Sequence, residues 1–165
     1  MKYTLEIEID HTRDRVIELF DSTENLFKWQ EGLLAFDHIE GEPGQVGAKS
    51  KMRFKMGKRE MELIETVTLR ELPDRFAGTY EAPGMWNLVD NEFVELPGGR
   101  TKYICHNTFK PTSFMMKVML KLMPGAFKKQ SFKYMQMFKE FAESQPASAP
   151  GAEERAARAV ENAAE

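Results

Sequence analysis

Residues 112–142 read TSFMMKVMLKLMPGAFKKQSFKYMQMFKEFA, and this stretch decides the fold. Its aromatic residues recur at helical spacing: Phe127, Tyr134, Phe138 and Phe141. Methionines and one leucine extend and widen the same face: Met115, Met119, Leu122, Met123, Met135 and Met137. This periodicity predicts a long amphipathic helix with a broad apolar face, around which the rest of the chain folds as a sheet.

The predicted helix has one clear start signal and one internal break. Thr112 is the expected N-cap, because its hydroxyl can accept from the first free N–H groups of the helix. Pro124-Gly125 should kink or break the helix, since proline lacks an N–H donor and crowds the preceding turn.

Length and composition indicate one ordinary globular domain. The chain has 165 residues, 42% of them apolar and 30% charged, with a net charge of −3, which gives no argument for nucleic acid as a partner. Cys105 is the only cysteine, so an intrachain disulfide or a cysteine-based metal cluster is excluded. No signal peptide and no bilayer-spanning run is evident. We expect a soluble, cytoplasmic protein with no metal and no cofactor.

The remaining chain predicts an antiparallel sheet with two short helices. Residues 1–10 alternate as a half-buried strand, with Tyr3, Leu5, Ile7 and Ile9 on one face. Short helices follow at about 12–21 and 23–31. Six strand-like runs come next, separated by Gly- and Pro-containing turns: about 34–41, 48–57, 59–71, 75–82, 85–96 and 100–110. The short connections favour antiparallel hairpins and an α+β fold.

The C-terminal residues differ in composition from the rest. Residues 144–151, SQPASAPG, are typical of a linker, and residues 152–165 are rich in Ala and Glu. We expect the tail 144–165 to be disordered or to form one marginal helix, outside a domain spanning 1–143.

The order of these elements carries a resemblance to a known family. Its features are the opening strand, the paired short helices ending in Trp29, the turn GEPGQVGAK at 41–49, the hairpin LPGGRTKY at 96–103 and the closing helix. Over residues 1–143 the chain resembles the START-like (SRPBCC) superfamily, which includes polyketide cyclase/dehydrase-like proteins and the birch-pollen allergen type. The resemblance implies a helix-grip fold: a curved antiparallel sheet of about seven strands around a long C-terminal helix, with a cavity between them. Pro124-Gly125 departs from that pattern, so the first part of the helix is expected to be a separate, lid-like segment.

The residues expected to line this cavity are mostly apolar, with a few polar groups among them: Met52, Phe54, Met56, Met61, Leu63, Glu65, Phe76, Tyr80, Asn87, Asn91, Tyr103, Asn107, Met119, Met123, Phe127, Tyr134 and Phe138. Apolar walls with few hydrogen-bonding groups are typical of small-molecule sites, although the same residues can simply fill a core. For Glu65 two orientations stay open: it faces a wet cavity, or a bulge turns it outward. In 85–96 the face with Asn87 and Asn91 competes with the face carrying Trp86 and Leu88.

These observations lead to three functional hypotheses. The first is binding of a hydrophobic small molecule or lipid without catalysis. The second is a cyclase/dehydratase- or hydrolase-like enzyme acting on an aromatic or polyketide-like substrate, with Glu65 and His106 as candidate acid and base.

The third hypothesis is a protein-interaction module that uses the basic helix or the tail. The helix carries Lys117, Lys121, Lys128, Lys129, Lys133 and Lys139. We interpret these lysines as a solvated face in preference to a membrane-surface contact. The oligomeric state is not indicated by the sequence.

Overall fold

The computed structural model describes residues 1–148 and contains one seven-stranded antiparallel sheet and four helices in that range. Along the chain the elements are β1 (Lys2–Ile9), α1 (Arg13–Phe20), α2 (Thr23–Trp29), β2 (Leu33–Glu40), β3 (Lys49–Met56), β4 (Arg59–Glu71), β5 (Arg75–Ala82), β6 (Met85–Leu96), β7 (Arg100–Pro111), α3 (Phe114–Leu122) and α4 (Pro124–Ser144). The strand order across the sheet is β1-β7-β6-β5-β4-β3-β2. The predicted α+β helix-grip architecture is confirmed, and the sheet is open, with β1 and β2 at its edges.

The closing segment is two helices rather than one continuous helix. Pro124 occupies the first turn of α4, where its missing N–H costs no hydrogen bond. Ser113 caps α3, because its Oγ accepts a hydrogen bond from the Met116 N–H at 3.2 Å. The prediction of Thr112 as N-cap is wrong, since the Thr112 N–H donates to the Gly84 carbonyl at 2.8 Å and so still belongs to the end of the sheet.

The main hydrophobic core lies over one half of the sheet. It consists of side chains from β1, β6, β7, α1 and α4: Leu5, Ile9, Val16, Leu19, Phe93, Tyr103, Cys105, Met135, Phe138 and Ala142. Polar contacts fix α4 across this half. The Tyr3 hydroxyl lies 2.8 Å from Ser131 Oγ, and the buried His11 Nε2 donates to the Ala142 carbonyl at 2.8 Å.

The helices cover the sheet unevenly. Helix α4 packs on β1, α1 packs against β6 and β7, and α2 packs against β2. Within residues 1–148, no helix makes an extensive contact with β3, β4 or β5. Side chains still fill the concave surface of these three strands: Met52 is 3% exposed, Phe54 is 5% exposed, and the ring of Phe20 from α1 lies 5.9 Å from that of Phe76 on β5. We call this surface the β3–β5 face.

The tail prediction falls almost entirely outside the described residues. Helix α4 ends at Ser144. Only residues 144–148 of the predicted linker and tail are described.

Candidate functional site

A row of polar side chains crosses the β3–β5 face. The strand register pairs Ser50 with Glu65, Glu65 with Tyr80, and Tyr80 with Asn87. Directly paired residues in a sheet project from the same face, so these four side chains are neighbours. The Tyr80 hydroxyl donates a hydrogen bond to Glu65 Oε1 at 2.9 Å. Glu65 therefore faces the concave side, and the bulge between Val67 and Leu69 comes too late in β4 to turn it outward.

The electrostatics of this pair are unusual for a carboxyl group. Burial raises the pKa of Glu65 above its ordinary value, and the hydrogen bond from Tyr80 only partly offsets that effect. The same burial, together with the nearby Glu65 charge, holds the pKa of Tyr80 well above its ordinary range. Among residues 1–148, no Lys, Arg or His forms an ion pair with Glu65. Glu65 is thus a desolvated carboxyl with one neutral partner.

Gly78 leaves space beside this pair. A Cβ atom at this position would lie 3.3 Å from the Thr66 carbonyl oxygen, 3.7 Å from the Tyr80 hydroxyl and 3.8 Å from Glu65 Oε1. Glycine within a strand often marks such a close approach. An alanine here would press on the Thr66 carbonyl of β4 and would make ordinary van der Waals contact with the two polar groups.

The three asparagines that face the concave side differ in how well they are hydrogen-bonded. Asn91 accepts from the Tyr103 hydroxyl at 2.7 Å and donates to the Phe76 carbonyl at 3.2 Å. Asn107 donates to the Cys105 sulfur at 3.1 Å. Asn87 Oδ1, next to Tyr80 in the register, is buried with no partner in the described chain. Since buried acceptors are normally satisfied, Asn87 is the asparagine that can receive a ligand donor.

The predicted lining residues fall into three groups. A first group is partly buried on or beside the β3–β5 face: Met61, Leu63, Glu65, Phe76 and Tyr80. A second group is packed in the sheet or along α4: Met52, Phe54, Asn87, Asn91, Tyr103, Asn107, Phe127, Tyr134 and Phe138. The third group lies at the surface, away from any interior: Met56, Met119 and Met123.

The space directly beneath α4 is filled rather than hollow. Phe138 is 1% exposed, and its ring lies 5.5 Å from Phe20, 5.3 Å from Trp29 and 6.1 Å from Tyr103, centroid to centroid. These four rings form one packed cluster beneath α4. The candidate site is the polar row on the β3–β5 face, beside this cluster.

His106 and Glu65 do not converge. Cys105 and Asn107 are buried on the concave side, so His106 between them projects from the opposite face of β7. There its Nδ1 lies 2.8 Å from Thr4 Oγ1, and the side chain is exposed. An acid–base pair of these two residues is not formed in this structure.

Cys105 has no sign of reactivity. Burial raises the pKa of its thiol to about 11, so it stays protonated near neutral pH. In residues 1–148 no group of three His, Cys, Asp or Glu side chains is arranged to hold a metal ion. The same residues include no helix long and apolar enough to cross a membrane.

The sequence analysis did not identify Ser50 and Gly78 as parts of this row. Gly78 carried a usable signal, because a glycine in the middle of a strand indicates a close approach. Ser50 carried none, since a single serine in a strand of alternating residues has no distinctive pattern.

The chain is similar to solved structures, although not to any family model or curated protein. No protein-family model matches the chain, and no curated protein matches it. Solved structures do match. Zhui aromatase/cyclase from Streptomyces sp. R1128 shares 10% identity at a TM-score of 0.72, covering 87% of this chain and 93% of that chain.

The chain has a START-like fold. Ara h 8.0201, a Bet v 1-like allergen, is similar at a TM-score of 0.68 and 12% identity, covering 88% of this chain and 99% of that one. A conserved protein from Geobacillus kaustophilus gives a TM-score of 0.70 at 15% identity, with 87% and 97% covered. At these identities the likeness concerns the fold, and the START-like fold predicted from element order is confirmed at that level.

Proposed function

We propose that this START-like chain binds an apolar small molecule or lipid on the β3–β5 face and fixes its polar group at Glu65, Tyr80 and Asn87. One observation carries the proposal: a desolvated carboxyl, paired with a single tyrosine, lies on the concave face of β4 in one polar row with the unpaired Asn87 Oδ1. Burying a carboxyl in this way is costly, and carboxyls with perturbed pKa values cluster at ligand-binding and catalytic sites.

The free atoms of the site indicate the chemistry of the ligand. Glu65 Oε1 receives the Tyr80 hydroxyl, while Oε2 has no partner in the described chain. Asn87 Oδ1 is also unpaired. Both are acceptors, so the matching ligand supplies donors, as a phenol, an alcohol or an amine does. Met61 and Leu63 supply the neighbouring apolar surface.

A first experiment combines native mass spectrometry with extraction. The freshly purified chain should carry a stoichiometric adduct that denaturation releases, with an apolar skeleton and at least one hydroxyl or amine group. A clean mass of the unliganded chain together with no binding of apolar phenols would contradict the proposal.

Variants then test the placement of the ligand. Glu65→Gln removes the charged acceptor, and we expect it to weaken binding of 2-naphthol about tenfold or more, since a hydrogen bond to a charged group contributes roughly 1.5–3 kcal/mol. Binding of 2-methoxynaphthalene, which has no donor, should not change. Chemical-shift titration by NMR measures both affinities.

Glu62→Gln is the matched control, because Glu62 lies on the same strand but points to the opposite, exposed face. It should leave both affinities unchanged. Equal losses in the two variants, or a loss of affinity for 2-methoxynaphthalene as well, would place the ligand elsewhere.

A second candidate function is enzymatic, and the Glu65–Tyr80 pair itself favours it. A carboxyl with a raised pKa holds its proton to higher pH than an ordinary carboxyl and is a better general acid, as cyclisation or dehydration of a polyketide-like substrate requires. The solved neighbour from Streptomyces is named an aromatase/cyclase. Glu65→Gln separates the two functions: a binding protein loses affinity, whereas an enzyme retains substrate binding and loses turnover.

A further inference from the structure

Helix α3 projects an apolar face away from the protein. Phe114 is 82% exposed, Met115 78% and Leu122 74%, and α3 contributes no buried residue at all. Together with Val118, Met119 and Met123 these side chains surround a shallow depression of about 450 Å³. Monomeric soluble proteins rarely leave so continuous an apolar patch uncovered without an interaction partner.

One side of α3 faces the protein, and its exposed apolar residues lie on the other side. At 3.6 residues per turn, Met116 and Leu120 share one side of α3, and they are the half-buried residues that face β7 and α4. The apolar side chains occupy the opposite side. Lys117 and Lys121, one turn apart, flank it.

The charge around α3 is of one sign. Lys117, Lys121, Lys128 and Lys129 are all exposed, and within residues 1–148 none of them forms an ion pair. Residues 112–138 contain no Asp or Glu, although the whole chain has a net charge of −3. The surface formed by α3 and these four lysines, which we call the α3 surface, is thus both apolar and basic.

We propose that the α3 surface docks on an anionic lipid membrane. A basic helix with large apolar side chains inserts that face among the lipid headgroups, while its lysines contact the anionic phosphates. A second copy of the chain fits less well, because a symmetric contact would bring the four lysines against their own counterparts. This inference is independent of the ligand proposed for the β3–β5 face.

The test is co-sedimentation of the full chain with vesicles. We expect binding to phosphatidylcholine vesicles that contain about one-third phosphatidylglycerol, weak binding to pure phosphatidylcholine, and loss of binding at high salt. Lys117→Gln and Lys121→Gln should each weaken binding about fivefold. Met115→Ser and Leu122→Ser should each weaken it about tenfold, because each removes one inserted side chain.

The matched controls are the same kinds of substitution, Lys→Gln and apolar→Ser, at positions away from α3. Lys55→Gln and Lys58→Gln remove two exposed, unpaired lysines at the β3–β4 hairpin, within the described chain, and Ile39→Ser and Val46→Ser remove two exposed apolar side chains. These four variants should bind vesicles like the unchanged chain. Glu65→Gln should also bind normally, which separates this result from the ligand proposal. Thermal melting checks that every variant is folded.

Several outcomes would overturn the inference. Equal binding to neutral and anionic vesicles would remove the role of charge. Equal effects of the hairpin and α3 variants would remove the role of this surface. Light scattering that shows an α3-dependent dimer without vesicle binding would assign the surface to a second copy. Binding only after removal of residues 149–165 would identify the tail as its occupant.

Discussion

Glu65 illustrates how one residue can work against the stability of its own fold. Its carboxyl is desolvated, its one hydrogen-bond donor is Tyr80, and no cation within residues 1–148 pairs with it. Replacing such a group by a neutral residue of the same shape removes the desolvation cost of the charge and keeps a hydrogen bond. Glu65 therefore contributes less to the stability of the fold than a neutral residue of its shape would.

This cost predicts a specific pH dependence of stability. The pKa of Glu65 is raised in the folded chain, so its favourable contribution is complete below the ordinary carboxyl value of 4.5 and is lost as the pH rises through the raised value. Glu65→Gln should therefore be more stable than the unchanged chain at neutral pH, by the order of 1 kcal/mol, and equal to it in acid.

Chemical denaturation at a series of pH values measures this difference. Exposed carboxylates that pair with lysines, such as Glu143 with Lys139, titrate alike in both proteins and cancel. Glu62→Gln, on the opposite face of the same strand, should show no such trend. A Glu65→Gln chain that is less stable at every pH would mean that the carboxylate has a stabilising partner.

The orientation of Glu65 also shows what the sequence could not decide. Alternation along β4 placed it on the inner face, but a charged residue there is equally compatible with a bulge. The decision depends on non-local facts: the pairing with Tyr80 and the absence of a side chain at Gly78. The sequence also could not decide which face of β6 points inward. Asn91 is a suitable core residue only because the Tyr103 hydroxyl donates a hydrogen bond to it.

At the scale of elements, turn chemistry predicted almost every boundary and helical periodicity failed once. The strands agree with prediction because glycine and proline mark each turn. The face before Pro124 was expected to continue inward. In the structure the chain changes direction at Met123, where ψ is 54°, so the apolar residues of α3 no longer align with those of α4. A periodicity argument holds only while the helix is continuous.

The weak attachment of α3 predicts that it opens independently of the rest of the fold. Ser113→Ala removes its N-cap, at a cost of about 1 kcal/mol, and should speed hydrogen exchange of the α3 amides roughly fivefold. The melting temperature should stay unchanged, because α3 buries no residue. Thr12→Ala, which removes the N-cap of α1, is the variant with which Ser113→Ala is compared.

Helix α1 buries Val16 and Leu19, so Thr12→Ala should lower the melting temperature by about 2–4 °C. Exchange measured by mass spectrometry, together with thermal scans, distinguishes the two cases. A fall in melting temperature for Ser113→Ala equal to that for Thr12→Ala would show that α3 is part of the global folding unit.

At the scale of the whole molecule, the sheet is divided between a half that carries the main apolar core and a half that carries the polar row. Helices α1 and α4 and strands β1, β6 and β7 form the main core, while the β3–β5 face carries the polar row of Glu65 and Tyr80 beside the buried Met52 and Phe54. The sequence predicted the helix-grip outline but distributed the lining over both halves. Spacing along single elements says which residues share a face, and it does not say how far across the sheet a helix lies.

Two phenylalanines test this division. Phe138 is 1% exposed and contacts the rings of Phe20, Trp29 and Tyr103, so Phe138→Ala should reduce the free energy of unfolding by about 3–5 kcal/mol. Phe114→Ala makes the same chemical change on α3, where the ring is 82% exposed. It should change the free energy of unfolding by less than about 0.5 kcal/mol.

Urea titration measures both values, and an unchanged dependence on urea concentration would show that the unfolded states are comparable. A small loss for Phe138→Ala would mean that α4 does not hold the main core together. A large loss for Phe114→Ala would mean that the apolar side of α3 is packed against protein. The membrane inference would then lose its basis, because a side chain that stabilises the fold is not available to enter a lipid surface.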